Sequence, residues 1–197
     1  MRALFYLPVL LAYQLTDRKA IITADADRWA LIDRDDRRGR AAVLALFARK
    51  PEFRNLFYYR LIGANFASKI MRRLLQPIYR GESTLHIGAD EIGPGLYIQH
   101  GFATIILAER LGANCWVNQQ VTIGFKVTDG TVLSRPVLED GVMVYAGAKI
   151  IGGVNVGENV TVGANAVVVK DVPANMTAIG VPAVARPHGR SARNAGG

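Results

Sequence analysis

The chain of 197 residues holds one cysteine, Cys115, which excludes an internal disulfide and any cysteine-built zinc site, and a reducing, cytoplasmic setting is the expectation. No apolar run reaches the length of about 20 residues that crosses a bilayer. The segment Ala3 to Tyr13 is apolar but broken by Pro8, and no small-residue cleavage pattern follows it. It reads as a docking helix or arm, with contact to a membrane surface as the other reading, and no integral membrane segment is expected. Acidic residues are fewer than basic ones, 16 against 24, for a net charge of +8. The basic residues are spread over the first eighty positions and the tail, with no aromatic interleaving and no nucleic-acid motif, so a nucleic-acid partner is not expected. A basic surface also suits a substrate carrying several phosphates.

What is abundant is a period. An aliphatic side chain returns every sixth residue at Leu138, Val144, Ile150, Val156, Val162 and Val168, and a second small or aliphatic residue follows four positions after each, from Val142 to Val172. A helix repeats at 3.6 and an exposed strand at 2, so a period of six fits neither. It fits a solenoid of very short strands and tight turns, each repeat placing an aliphatic residue inward. Gly152, Gly157 and Gly163 fall at or beside turns. The same phase is visible earlier, at Ile87, Ile92, Ile98, Ile105, Leu111, Val117 and Ile123, with a spacing of seven across His100. Fifteen residues then separate Ile123 from Leu138, so residues 125–136 must leave the solenoid as a loop, one that carries Lys126, Asp129 and Arg135.

Before the solenoid the pattern is helical. Thr23 with Asp25 and Asp27 reads as a helix start, carrying Trp29 and Ile32 inward. Asp33 to Arg40 reads as a solvated connection, and a second helix spans about Ala41 to Arg49 and stops at Lys50-Pro51. Tyr59, Ile62, Phe66, Ile70 and Leu74 define one apolar stripe, with Lys69, Arg72 and Arg73 beside it. Pro77 and Gly81 end this region, and the array is expected to end at Pro173. The resulting division is an α-helical region over 1–82, a mainly β solenoid over 83–185 and a flexible tail over 186–197.

The hexads, the run Gly163-Ala164-Asn165-Ala166 through Lys170 to Pro173, and the close Gly180-Val181-Pro182-Ala183 resemble the acetyl-CoA-dependent hexapeptide-repeat acetyltransferases. Gly93-Pro94-Gly95-Leu96-Tyr97-Ile98-Gln99-His100-Gly101, the loop before Pro136, and the helical segments around Trp29 and Pro51 to Leu61 are similar to the serine O-acetyltransferase branch. The resemblance implies a left-handed parallel β-helix, a homotrimer or dimer of trimers, and acetyl-CoA as acetyl donor, with no metal. It places Ala146, Gly147, Ala164 and Lys170 at the CoA site and His100 at the position of the catalytic base. Histidine, with an unperturbed pKa near 6.5, suits removal of a hydroxyl proton during acyl transfer. Cys115 beside Trp116 reads as a packed residue rather than a nucleophile.

The acceptor is less defined. Thr84 and Gln99 stand where the serine O-acetyltransferases have aspartates, and Arg135 where they have a histidine. Thr84, Gln99 and Arg135 are the candidate acceptor-binding residues. Serine O-acetylation is the first reading and O-acetylation of a surface-polysaccharide sugar the second, since neutral hydrogen-bonding groups suit a carbohydrate. A non-enzymatic scaffold on the same solenoid is a third. A zinc carbonic anhydrase would need clustered histidine ligands, and His86, His100 and His188 are not clustered in sequence.

Overall fold

The structure is a computed structural model that describes residues 5–128, 131–132 and 134–188. Five helices come first: α1 (Leu7–Leu15), α2 (Lys19–Ile32), α3 (Gly39–Arg49), α4 (Pro51–Ile62) and α5 (Phe66–Leu75). Pro8 lies in the first turn of α1 and Pro51 opens α4, positions where a missing N–H removes no helical bond. Lys50 is extended between α3 and α4, as the residue before a proline prefers. Trp29, Phe47, Phe53 and Phe57 fill the helical core, with edge-to-face contacts such as Trp29–Phe53 at 5.4 Å.

Two helical expectations are corrected. Thr23 does not start a helix. It lies inside α2, where its hydroxyl donates to the Lys19 carbonyl at 2.8 Å, because Lys19 to Ile22 is itself helix-competent and Ile22 is buried. Asp25 is therefore a core residue rather than a first-turn acid. The stripe from Tyr59 to Leu74 is likewise not one buried face. The chain breaks after Ile62, and Asn65 caps α5 by accepting from the Ser68 N–H at 2.9 Å. That break rotates α5 so that Ser68 and Leu75 face the core while Phe66, Ile70 and Leu74 face solvent.

From Leu85 the chain winds into a parallel β-helix of three faces. The first face stacks Leu85–Ile87, Thr104–Ile106, Thr122–Gly124, Lys149–Ile151 and Val167–Val168. The second stacks Glu91–Ile92, Arg110–Leu111, Val137–Leu138 and Asn155–Val156. The third stacks Tyr97–Ile98, Trp116–Val117, Met143–Val144, Thr161–Val162 and Met176–Ile179, and Val184–Pro187 joins its end antiparallel. Every hexad residue from Leu138 to Val168, and every residue of the second set from Val142 to Val172, is buried. Gly157 is required by close approach, since a Cβ there would lie 2.5 Å from the Ala174 backbone nitrogen.

Register moves one inward position. Ile106, paired with Ile87 and Ile123, carries the core ladder, and Ile105 faces outward. The corner at His100 is wider than a hexad allows, so the period there is eight rather than seven. The described residues between Gly124 and Val137 do leave the solenoid, and Val127–Thr128 pairs with Thr131–Val132 in an antiparallel arrangement. Asp129 lies outside the described residues. The array does not end at Pro173, because Met176–Ile179 adds another rung. The chain also stays ordered past 185: Arg186 and Pro187 belong to the last strand, and His188 contacts the Asn159 carbonyl at 3.1 Å. Residues 189–197 of the expected tail are outside the described residues.

The helical region is fastened to the first coil by polar groups. The Arg60 guanidinium meets Asp25 at 2.9 Å and donates to the carbonyls of Ile92 (2.5 Å) and Gly93 (2.7 Å). The Gly95 N–H donates to Asp25 at 2.7 Å, and the Trp29 indole N–H donates to the Leu96 carbonyl at 2.7 Å. Burial pushes the Asp25 carboxyl up, while Arg60 and the Gly95 N–H pull it down.

Candidate active site

The corner between the third and first faces recurs in each coil, and one instance of it holds His100. Ile105 pairs with Thr122, so residues 99–104 turn the chain where residues 118–121 suffice one coil later. His100 (φ 52°) and Ala103 (φ 50°) both take left-handed backbone. At most other corners that conformation falls to an asparagine, such as Asn114, Asn159 and Asn165, whose short polar side chain tolerates it, and one coil after His100 it falls to Gln120 alone. Two residues without that tolerance in one corner require support from their neighbours. The Phe102 N–H donates to the His100 carbonyl at 2.8 Å, and the Gln120 N–H to the Phe102 carbonyl at 3.0 Å. The Ala103 N–H donates to the Thr84 hydroxyl oxygen at 2.8 Å, and the Thr104 N–H to the Thr84 carbonyl at 3.1 Å. The result is a fixed corner with the His100 side chain exposed at its tip.

Thr84 is thereby committed. Its hydroxyl accepts from Ala103 and donates to Glu82 at 2.8 Å, and its N–H donates to the same carboxylate at 3.1 Å. Those two hydrogen bonds hold the Glu82 carboxyl below its ordinary value. Thr84 is a brace for the His100 corner, and its position two residues after Glu82 is what the sequence reading missed. Glu52 was missed as well. It sits in the first turn of α4, and a Cβ on Gly101 would lie 3.1 Å from its Cγ, so the helical region sets a carboxylate beside the corner. The acid right after Pro51 was its only sequence signal. Gln99 is half-buried, and its backbone N–H donates to Val117 at 2.9 Å.

The same corner, two and three coils on, carries Ala146, Gly147 and Ala164. His100 and these three residues therefore lie along one edge of the prism. Gly147 has its own structural reason: its φ is 74°, and a Cβ there would lie 2.1 Å from the Asn165 side-chain oxygen. Between them, Gln119 keeps a buried side-chain oxygen with no hydrogen-bond partner in this structure. Arg135 and Lys170 are elsewhere, on the corner between the first and second faces. Arg135 is ion-paired with Asp90, another residue not singled out from sequence, and Lys170 is exposed. One chain thus does not bring Arg135 or Lys170 to His100.

Residues 135–170 match the family model described as bacterial transferase hexapeptide (six repeats). Over 99 residues the chain is 38% identical to the serine acetyltransferase of Synechococcus elongatus, covering 50% of this chain and 40% of that protein. Over 120 residues it is 36% identical to that of Staphylococcus xylosus, covering 57% and 53%. The chain spans about half the length of these curated relatives or less. Among solved structures, serine acetyltransferase from Neisseria gonorrhoeae in complex with serine aligns with a TM-score of 0.57 and 25% identity, over 85% of this chain and 68% of that one. A serine acetyltransferase in complex with CoA aligns with a TM-score of 0.60 and 27% identity, over 91% and 74%. The chain is a hexapeptide-repeat β-helix protein similar to serine acetyltransferases.

In this hexapeptide-repeat protein the remaining reactive groups are placed apart from the His100 corner. Cys115 is buried, with its sulfur 3.3 Å from the Glu139 carbonyl, and burial pushes its thiol up to about 11. That is the behaviour of a packed residue. His86 faces outward on the first face, at a cleft of about 660 Å³ shared with Tyr59, Arg72 and Glu82. Among the described residues no group of three or more His, Cys, Asp or Glu side chains is arranged to hold a metal ion.

Proposed function

We propose that the protein is an acetyl-CoA-dependent O-acetyltransferase that acts on the hydroxyl of L-serine, with His100 as general base. The observation that carries this reading is the widened corner, which holds His100 exposed on the same edge as Ala146, Gly147 and Ala164. The relatives named for serine acetylation, and the aligned structures whose complexes contain serine and CoA, support both substrates.

In the proposed reaction an imidazole nitrogen of His100 takes the proton of the acceptor hydroxyl as that oxygen attacks the thioester carbonyl carbon. The carbonyl π electrons move to oxygen; when they return, the carbon–sulfur bond breaks and the sulfur leaves with its electron pair. The imidazolium then returns the proton to the CoA thiolate. No covalent enzyme intermediate is required. Thr84, anchored by Glu82, keeps the corner in place, and small residues along the edge admit the pantetheine arm to the backbone.

Arg135 and Lys170 belong to a different corner from His100, and a homotrimer is part of the proposal for that reason. Prisms packed side by side set one corner of each chain against another corner of its neighbour, where Lys170 meets phosphates as a point charge. Acetylation of a sugar is the second reading. The pairing of Arg135 with Asp90 and the neutral Gln99 favour it. Steady-state release of CoA with L-serine against neutral sugar acceptors tests the two. Efficient turnover with L-serine alone supports the first; turnover confined to sugars overturns it in favour of the second.

A further inference from the structure

α1 and α5 are antiparallel neighbours on the outside of the helical region. The Asn65 side chain donates to the Leu15 carbonyl at 2.9 Å at one end, and the Phe5 and Tyr79 rings meet at 5.0 Å at the other. Each helix turns one face inward, with Val9, Ala12 and Tyr13 buried on α1 and Ser68 and Leu75 on α5. Each also turns an apolar row outward. Leu7, Leu11 and Leu15 are 56%, 50% and 44% exposed, and Phe66, Ile70 and Leu74 are 78%, 39% and 57% exposed. Spacings of four place each row on a single helix face. Two adjacent rows of this kind are unlike the scattered apolar residues of an ordinary surface.

The charges beside the rows identify the partner. Lys69 and Arg73 are exposed and interleave with Phe66, Ile70 and Leu74, and neither helix contains an acidic residue; Asp17, just past α1, is occupied by the Asn65 N–H, which donates to it at 3.1 Å. A seam between two copies would carry Lys69 and Arg73 into its centre, against the same cations of the other copy, where interface cores are depleted of charge. A lipid surface has no such conflict. Apolar side chains enter the acyl boundary while the Lys and Arg stems lie along it and their heads reach lipid phosphates. No helix among the described residues is long and apolar enough to cross a membrane. We propose that the α1–α5 face docks the protein on an anionic membrane surface, lying in the interface without spanning it.

The test is co-sedimentation of the full chain with vesicles of phosphatidylglycerol and phosphatidylcholine, or of phosphatidylcholine alone, with sedimentation velocity run in parallel. The variants are Ile70→Ser with Leu74→Ser, and Lys69→Glu with Arg73→Glu, all at exposed positions where folding is checked by circular dichroism. Binding to the anionic vesicles, reduced at least about tenfold by either pair and weakened by salt, is expected. Absence of vesicle binding, equal binding to neutral vesicles, or a fall in oligomer mass with vesicle binding unchanged overturns the proposal. The readout does not involve catalysis, so it is independent of the acetyl-transfer reading.

Discussion

Replacing Asp25 by alanine is expected to loosen the joint between the helices and the β-helix more than any loss of contact area would. Arg60 is 5% exposed and Asp25 1% exposed, so removal of the carboxylate leaves a guanidinium without its counter-charge in a site closed to water. Breaking such a pair from one side costs about 3–5 kcal/mol. The Gly95 N–H, which donates to Asp25 at 2.7 Å, loses its acceptor too, and an orphaned buried donor costs about 1–3 kcal/mol. The carbonyls of Ile92 and Gly93 still receive Arg60, which offsets part of this. A net loss of about 4 kcal/mol is expected, read as a fall in the urea midpoint at unchanged m-value. Asp25→Asn, which retains an acceptor for Gly95 but not the charge, should lie between. A loss below about 1 kcal/mol for Asp25→Ala would refute the idea that this pair fastens the two regions.

Three further expectations concern the solenoid. Cys115, buried and with its thiol pushed up to about 11, should resist iodoacetamide at pH 8 in the native protein and react fully in urea, as mass spectrometry will read. Gly147→Ala forces a Cβ to 2.1 Å from Asn165 at a φ of 74°, and should lower the melting temperature measurably, corresponding to about 1–3 kcal/mol. Thr84→Val removes one of the hydrogen bonds that hold the Glu82 carboxyl down, so carboxyl NMR titration should show it rising toward its ordinary value. The sign follows from the depressed value. Stability drawn from Glu82 is present above the ordinary carboxylate pKa and is lost as pH falls through the lower folded value, and the variant should lose part of that pH dependence, since the backbone N–H of residue 84 still donates to the carboxylate.

The β-helix was legible because one inward side chain per six residues is a strong and unusual constraint, met without a gap from Leu138 to Val168. The register slipped at one corner: the turn at His100 is wider, so Ile106 rather than Ile105 enters the core. The helical region was read less well. Thr23 mimics a helix start, yet the real start is decided by burial of Ile22. The Tyr59 to Leu74 stripe has helical spacing throughout, and the break that turns it to solvent is signalled by Gly63 after α4 and by the Asn65 cap, three residues before Ser68. In the candidate site, the motifs pointed to His100, Ala146, Gly147 and Ala164, which share one edge of the prism, and to Arg135 and Lys170, which lie on another corner. The bracing of Thr84 by Glu82, the approach of Glu52, and the pairing of Arg135 with Asp90 depend on contacts across coils or helices, which no local pattern encodes.

The central claim is that His100 removes the acceptor proton during acetyl transfer from acetyl-CoA. Its most direct measurement is CoA release by His100→Ala with L-serine as acceptor, alongside calorimetric binding of acetyl-CoA to the same variant. The account predicts turnover reduced by about 10²- to 10⁴-fold with donor affinity unchanged. Turnover equal to that of the unaltered protein would contradict it.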